Sequence, residues 1–146
     1  MTTTDTRPSD ADASAAARPI VAVLNASSDT VEMLRASLEA EGFHAVTGHI
    51  TDLKKGELDL ISFVEHHRPA VIVYDISPPY EANWNFLRLV RSSEAVRECR
   101  FVLTTTNKPA LDGLVGGDTE AHEIIGKPYD LDRVVSAVRK ALGAAG

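Results

Sequence analysis

The sequence predicts an α/β domain in which a five-stranded parallel sheet is covered by helices on both faces. Short apolar runs rich in β-branched residues alternate along the chain with segments whose apolar residues recur at helical spacing. Such alternation favours a parallel sheet with helical crossovers, and right-handed crossovers restrict its topology. The simplest arrangement is a flavodoxin-like, doubly wound sheet with strand order 2-1-3-4-5.

The predicted strands are short apolar segments bounded by turn residues or charges. The clearest is AVIVYD, residues 70–75, whose unbroken apolar run is typical of a strand buried on both faces. The five predicted strands cover residues 19–24, 43–47, 70–75, 100–105 and 122–126.

The first helix is predicted from its ends as well as from its periodicity. Asp29 and Glu32 resemble a capping box, so Asp29 is expected to cap the helix. Gly42 is expected to end it. Residues 49–57 are polar and are predicted to form a loop.

Three further helices are predicted in the rest of the chain, over residues 58–67, over residues 84–91 and after Asp130. In the helix over residues 84–91, Phe86 is expected on the inner face together with Leu87 and Val90. Glycines within residues 108–120 predict a helix that is short or frayed.

Composition and charge exclude several classes of protein. The chain has 146 residues, of which 44% are hydrophobic and 25% are charged, an ordinary balance for a globular domain. One cysteine cannot form an internal disulfide, no apolar run approaches a membrane span, and the net charge of −6 argues against a nucleic-acid surface. Residues 1–18 are expected to be a disordered tail and residues 19–146 the domain, located in the cytoplasm.

Polar residues stand where the predicted strands end, at the edge where this fold places its functional crevice. Asp75 ends strand 3, Thr104 and Thr105 end strand 4 with Thr106 directly after them, and Lys127 follows strand 5. A carboxylate in this position can act as a nucleophile, as a metal ligand or as a cap for the next segment. The threonine hydroxyls can hydrogen-bond a phosphoryl group on Asp75, and Lys127 can pair with Asp75, pair with such a group or remain solvated.

This order of strand-end residues resembles the receiver domain of two-component response regulators. The resemblance covers residues 19–142, and its best segments are VIVYDISPP, LTTT and GKPYDLDRVVSAVRKAL. It implies that Asp75 accepts a phosphoryl group from a histidine kinase or a phosphotransfer protein. Thr105 best matches the family's hydroxyl residue, with Thr104 as a one-residue alternative, and Lys127 matches the family's lysine.

The sequence also departs from that family. Asn25 and Ala26 stand where receivers carry two adjacent acidic residues that help to bind Mg²⁺. The remaining metal ligands would be Asp75 and, more weakly, Asn25 and the backbone carbonyl of Ser77, so Mg²⁺ binding is expected to be weakened. Ile124 replaces the family's usual aromatic switch residue.

These observations predict a stand-alone receiver that signals through protein–protein contacts and is not an enzyme. Its expected partners are a histidine kinase, a phosphotransfer protein or a partner regulator, without nucleic acid or membrane. One alternative is a fully phosphorylatable receiver that shuttles phosphoryl groups. Another is a flavodoxin-like binder of a small anionic ligand, and the oligomeric state is left open.

Overall fold

A computed structural model describes residues 18–54, 59–115, 121–126 and 130–145. Its centre is one parallel sheet of five strands in the order β2-β1-β3-β4-β5, which confirms the predicted topology. The strands are β1 Ile20–Asn25, β2 His44–His49, β3 Val71–Ile76, β4 Arg100–Thr105 and β5 Ala121–Gly126.

Helices alternate with the strands, as predicted. Within the described residues they are α1 Ser28–Ala40, α2 Ile50–Lys54, α3 Leu60–His67, α4 Tyr80–Arg91, α5 Glu94–Arg97, α6 Lys108–Val115 and α7 Leu131–Ala145. None of these helices combines the length and the apolar character that crossing a bilayer would require.

The sheet separates two apolar layers. Side chains from α1 and α7 pack on one face, among them Leu34, Leu38, Val134 and Val138. The other face is covered by α2 to α6, with Ile50, Val64, Trp84, Leu87, Val96 and Leu111 in its core. Because successive strand residues point to opposite faces, every strand contributes alternately to the two layers. Helices therefore cover both faces, as the sequence predicts.

The start of α1 differs from the prediction. Ser27, with extended backbone angles, is the N-cap, and its Oγ accepts a hydrogen bond from the Thr30 backbone N–H at 3.2 Å. Asp29 lies in the first turn, so the prediction that it caps the helix is wrong. The C-terminal prediction is confirmed, since Gly42 follows α1 with a φ of +96°, a conformation that glycine adopts without steric cost.

Three other predictions fail for reasons of packing. The predicted loop 49–57 contains the end of β2 and the short helix α2, because Ile50 finds a place in the core with 5% of its surface exposed. Helix α4 begins one turn early, at Tyr80, and buries Trp84 with Leu87 and Val90. Phe86, predicted on the inner face, is 43% exposed.

The predicted tail lies outside the described residues except for Arg18, which is exposed. At the other end of the domain, Asp130 caps α7 as predicted, since its Oδ1 accepts a hydrogen bond from the Asp132 backbone N–H at 2.9 Å.

Candidate functional site

Four polar residues form a row across the carboxyl edge of the sheet. The strand register places His49 opposite Asn25 and Asp75 opposite Thr104. Leu24 pairs with Tyr74, so continuing that register by one residue places Asn25 opposite Asp75. By strand alternation all four side chains belong to the sheet face that α1 and α7 cover. We call His49, Asn25, Asp75 and Thr104 the polar row.

The centre of the polar row is a buried hydrogen bond. The Thr104 hydroxyl donates to Asp75 Oδ1 at 2.7 Å. Thr104 is fully buried, and Asp75 is 6% exposed. A hydrogen bond to a carboxylate in such surroundings is short and stronger than a neutral one, so it fixes the orientation of the Asp75 side chain.

Thr105, which best matches the family's hydroxyl residue, occupies a different position. It is the next residue of β4, so its side chain leaves the opposite face of the sheet, and its Oγ1 accepts a hydrogen bond from the Asn107 backbone N–H at 3.3 Å. The structure thus brings Thr104, the one-residue alternative, against Asp75. Lys127 lies outside the described residues, and its pairing with Asp75 stays a prediction.

The residues after β1 are engaged in local structure. Asn25 is 2% exposed, and its Oδ1 accepts a hydrogen bond from the Ser27 backbone N–H at 3.0 Å. Such a turn is a common use of asparagine at the end of a strand. Ala26 is exposed and contributes no side-chain donor or acceptor. At the two positions that carry acids in receivers, the Asn25 side-chain oxygen is therefore already used in a turn, and Ala26 has no side-chain atom that could bind a metal ion.

The Ser77 carbonyl is also engaged. Asn83, in the second turn of α4, donates a hydrogen bond from Nδ2 to this carbonyl at 2.6 Å, which ties the segment after β3 to the helix. One lone pair of the oxygen is left for a further ligand.

This donor set fits Mg²⁺ poorly. Mg²⁺ is usually held by carboxylates together with waters and substrate phosphate oxygens. The polar row supplies one carboxylate, Asp75, and the amide of Asn25, which is already engaged, as is the nearby Ser77 carbonyl. Across the part of the chain that the structure describes, no three His, Cys, Asp or Glu side chains are grouped so as to hold a metal ion.

Two hydrogen bonds at the rim of the crevice were not foreseen from the sequence. His49 Nε2 and Ser28 Oγ lie 3.1 Å apart, where β2 ends and α1 begins. Tyr80 and Thr106 join their hydroxyls at 2.9 Å between α4 and the segment after β4. The sequence did contain a signal for His49. Side chains alternate along a strand, and His49 lies four residues after Ala45, so both point to the sheet face that α1 covers.

The chain is similar to response regulators in both sequence and structure. It is 28% identical over 111 residues to response regulator Rre1 of Synechocystis sp., a match that covers 76% of this chain and 46% of the relative. The chain thus spans about half the length of the curated relative it matches. No protein-family model matches it.

Solved structures show the same fold. A sensor protein from Polaromonas sp. JS666 has a TM-score of 0.68 at 18% identity, covering 88% of this chain and 99% of that one. Chemotaxis protein CheY4 of Vibrio cholerae has a TM-score of 0.64 at 18% identity, with 86% and 99% covered. A response regulator from Thermotoga maritima has a TM-score of 0.61 at 20% identity, with 86% and 98% covered. The chain therefore has the fold of response regulator receiver domains, and its sequence resembles a response regulator.

Proposed function

We propose that this chain is a receiver in two-component signalling that acts through protein–protein contacts, with Asp75 as its phosphoacceptor and with weakened Mg²⁺ binding. The observation that carries the proposal is the position of Asp75 at the carboxyl end of the central strand β3, buried and held by Thr104 at 2.7 Å. A carboxylate oriented in this way is suited to attack a phosphorus atom in line with its leaving group.

The reaction itself is a simple exchange. A carboxylate oxygen of Asp75 forms a bond to phosphorus while the bond from phosphorus to the donor breaks, and the donor leaves with that electron pair. The Thr104 hydroxyl holds the Asp75 side chain in a fixed orientation, which favours this attack. Mg²⁺, when bound, would supply positive charge for the phosphoryl oxygens. Asp75 is the one carboxylate of the row that could hold the metal, so phosphoryl transfer should be slow.

The weakened metal site favours a role in which contact matters more than rapid turnover of phosphate. A receiver whose acidic pair is Asn25 and Ala26 can still present its helices and loops to a histidine kinase, a phosphotransfer protein or a partner regulator. Such a protein would work in the cytoplasm and would not be an enzyme in its own right. The relative Rre1 is a response regulator by name, which supports the signalling class.

Phosphorylation can be tested by incubating the folded protein with acetyl phosphate and Mg²⁺ and measuring its intact mass over time. We expect slow and incomplete addition of one phosphoryl group, and none in Asp75→Asn. Asp29→Asn is the matched control, because Asp29 is exposed in the first turn of α1 and should leave the addition unchanged.

Two results would change this proposal. Rapid and stoichiometric addition that Asp75→Asn abolishes would mean a conventional phosphoryl-shuttling receiver and would contradict the weakened site. Addition that persists in Asp75→Asn would show that another residue accepts the phosphoryl group.

A further inference from the structure

A cavity of about 310 Å³ lies on the other side of β3 from the polar row. Apolar side chains from α2 and α4, those of Ile50, Leu53 and Phe86, form most of its wall, and Tyr74 of β3 and Asn83 of α4 add a phenol and an amide. The cavity thus combines an apolar lining with two polar groups, which is the usual composition of a small-molecule site.

The phenol of Tyr74 is the chemically distinctive group in this wall. The side chain is 3% exposed, yet its hydroxyl takes part in no hydrogen bond with any of the residues that the structure describes. Burial raises the pKa of Tyr74 above its ordinary value, and the neighbouring Asp75 carboxylate raises it further, so the phenol is uncharged and keeps its proton to donate. The hydroxyl oxygen is not one of the fully enclosed polar atoms without a partner, so it reaches open space, where a ligand can accept its hydrogen bond.

The amide of Asn83 connects this wall with the segment that follows Asp75. Its Nδ2 is committed to the Ser77 carbonyl at 2.6 Å, so the residue is fixed in place and lines the cavity in a defined orientation. Ile50 is 5% exposed and equally well fixed, whereas Phe86, at 43% exposed, stands at the mouth. Most of the site is therefore preformed, and it opens to solvent beside α4.

We propose that this cavity binds a small, uncharged and largely apolar molecule that carries one oxygen acceptor for the Tyr74 hydroxyl. The apolar wall from Ile50, Leu53 and Phe86 provides the contact area. An anionic ligand is disfavoured because Asp75 lies next to Tyr74 in the same strand. For size, a dry cavity of about 150 Å³ accommodates benzene, so one ring with a short substituent fits here.

This inference is independent of the proposed function, since it requires neither phosphorylation nor a partner. The cavity and the polar row share β3, with Tyr74 and Asp75 as consecutive residues on its two faces.

Acetophenone, one ring with a single carbonyl, is the probe that tests the proposal, and toluene is the matched probe without an acceptor. Each is titrated into the folded full chain while the amide NMR signals of Ile50 and Phe86 and the methyl signals of Ile50 are followed. We expect saturable shifts with acetophenone at a dissociation constant on the order of 1 mM, typical of such a small ligand. Tyr74→Phe should weaken acetophenone about fivefold, the value of one hydrogen bond, and leave toluene unchanged.

A pair of tryptophan substitutions distinguishes binding in the cavity from binding elsewhere on the surface. Leu53→Trp fills the cavity and should abolish the shifts from both probes, whereas Leu89→Trp, at a position 71% exposed on the same helix as Phe86, should leave them intact. Absence of saturable shifts with both probes in the unmodified protein would overturn the proposal. So would equal acetophenone affinity in the Tyr74→Phe protein, provided that its amide spectrum remains that of the folded domain.

Discussion

The hydrogen bond between Thr104 and Asp75 makes the account of the polar row testable through stability alone. Thr104→Val replaces the hydroxyl with a methyl group of similar shape and leaves the buried carboxylate without this donor. Hydrogen bonds to charged groups contribute about 1.5 to 3 kcal/mol, and both partners here are buried. We therefore expect the free energy of unfolding to fall by about 2 kcal/mol.

Urea unfolding measures this change directly. Trp84 is the chain's one tryptophan and is 2% exposed, so its fluorescence reports on the loss of the core. With a urea dependence of about 1.5 kcal/mol per molar for a domain of this size, the loss lowers the unfolding midpoint by roughly 1 M.

The neighbouring residue provides a matched control. Thr105 is equally buried, but its hydroxyl accepts only a long hydrogen bond, 3.3 Å, from the Asn107 backbone. Thr105→Val should therefore cost less than about 1 kcal/mol. A Thr105→Val protein that is destabilised as much as Thr104→Val, or a Thr104→Val protein with an unchanged midpoint, would refute the assignment of Thr104 as the partner of Asp75.

Three further predictions concern the frame around the site. Ser27→Ala should destabilise the domain by about 1 kcal/mol in urea unfolding through loss of the α1 cap, and Ser27→Gly by only a few tenths; equal costs would argue against the cap. Leu87→Ala, at a fully buried position, should cost about 2 to 5 kcal/mol, whereas the exposed Leu89→Ala should stay within about 0.5; similar midpoints for the two would contradict the orientation of α4. Burial raises the pKa of the Cys99 thiol to about 11, and Glu98 adds to the rise. At about pH 8 only roughly one thiol in a thousand is therefore thiolate, and this fraction rises tenfold per pH unit. Iodoacetamide should therefore modify Cys99 at least about 100-fold more slowly in the folded protein than in urea, and comparable rates would show that the thiol is not buried.

The sheet topology could be predicted from the sequence because the pattern that indicates it is long and repeated. The alternation of apolar runs with helical segments fixes a parallel sheet, and β4 is observed over residues 100–105 as predicted. Asp130 as the cap of α7 also follows from a local rule that the structure obeys.

The wrong assignments of the α1 cap and of the inner face of α4 each involve neighbouring residues that satisfy the same local rule. Ser27 and Asp29 are both good capping residues, and only the backbone geometry at Ser27 decides between them. Phe86 and Trp84 both suit an inner helix face, but they lie two residues apart and cannot share one. The buried face of α4 follows the spacing of three from Trp84 through Leu87 to Val90, which turns Phe86 outward.

A similar choice between neighbouring residues arose at the candidate site, where the sequence did not determine which threonine contacts Asp75. Thr104 and Thr105 differ by one residue, and that one residue reverses the face of the sheet on which the hydroxyl lies. Asp75 shares a face with Thr104 because the β3–β4 register pairs them directly. The pairing register between strands is a long-range property that a single sequence does not contain. Alternation along β4 alone therefore does not tell which of the two threonines shares a face with Asp75.

The central claim is that Asn25 and Ala26 leave the crevice with a weakened Mg²⁺ site, and a metal titration tests it most directly. Mg²⁺ is titrated into the unmodified protein and into an Asn25→Asp/Ala26→Asp variant, while the amide NMR signals of Asp75 and Thr104 are followed. The variant should bind Mg²⁺ roughly 100-fold more tightly or better, since even changes outside the first ligand shell alter affinity about 10- to 100-fold. Saturable binding of equal strength in the two proteins would contradict the account.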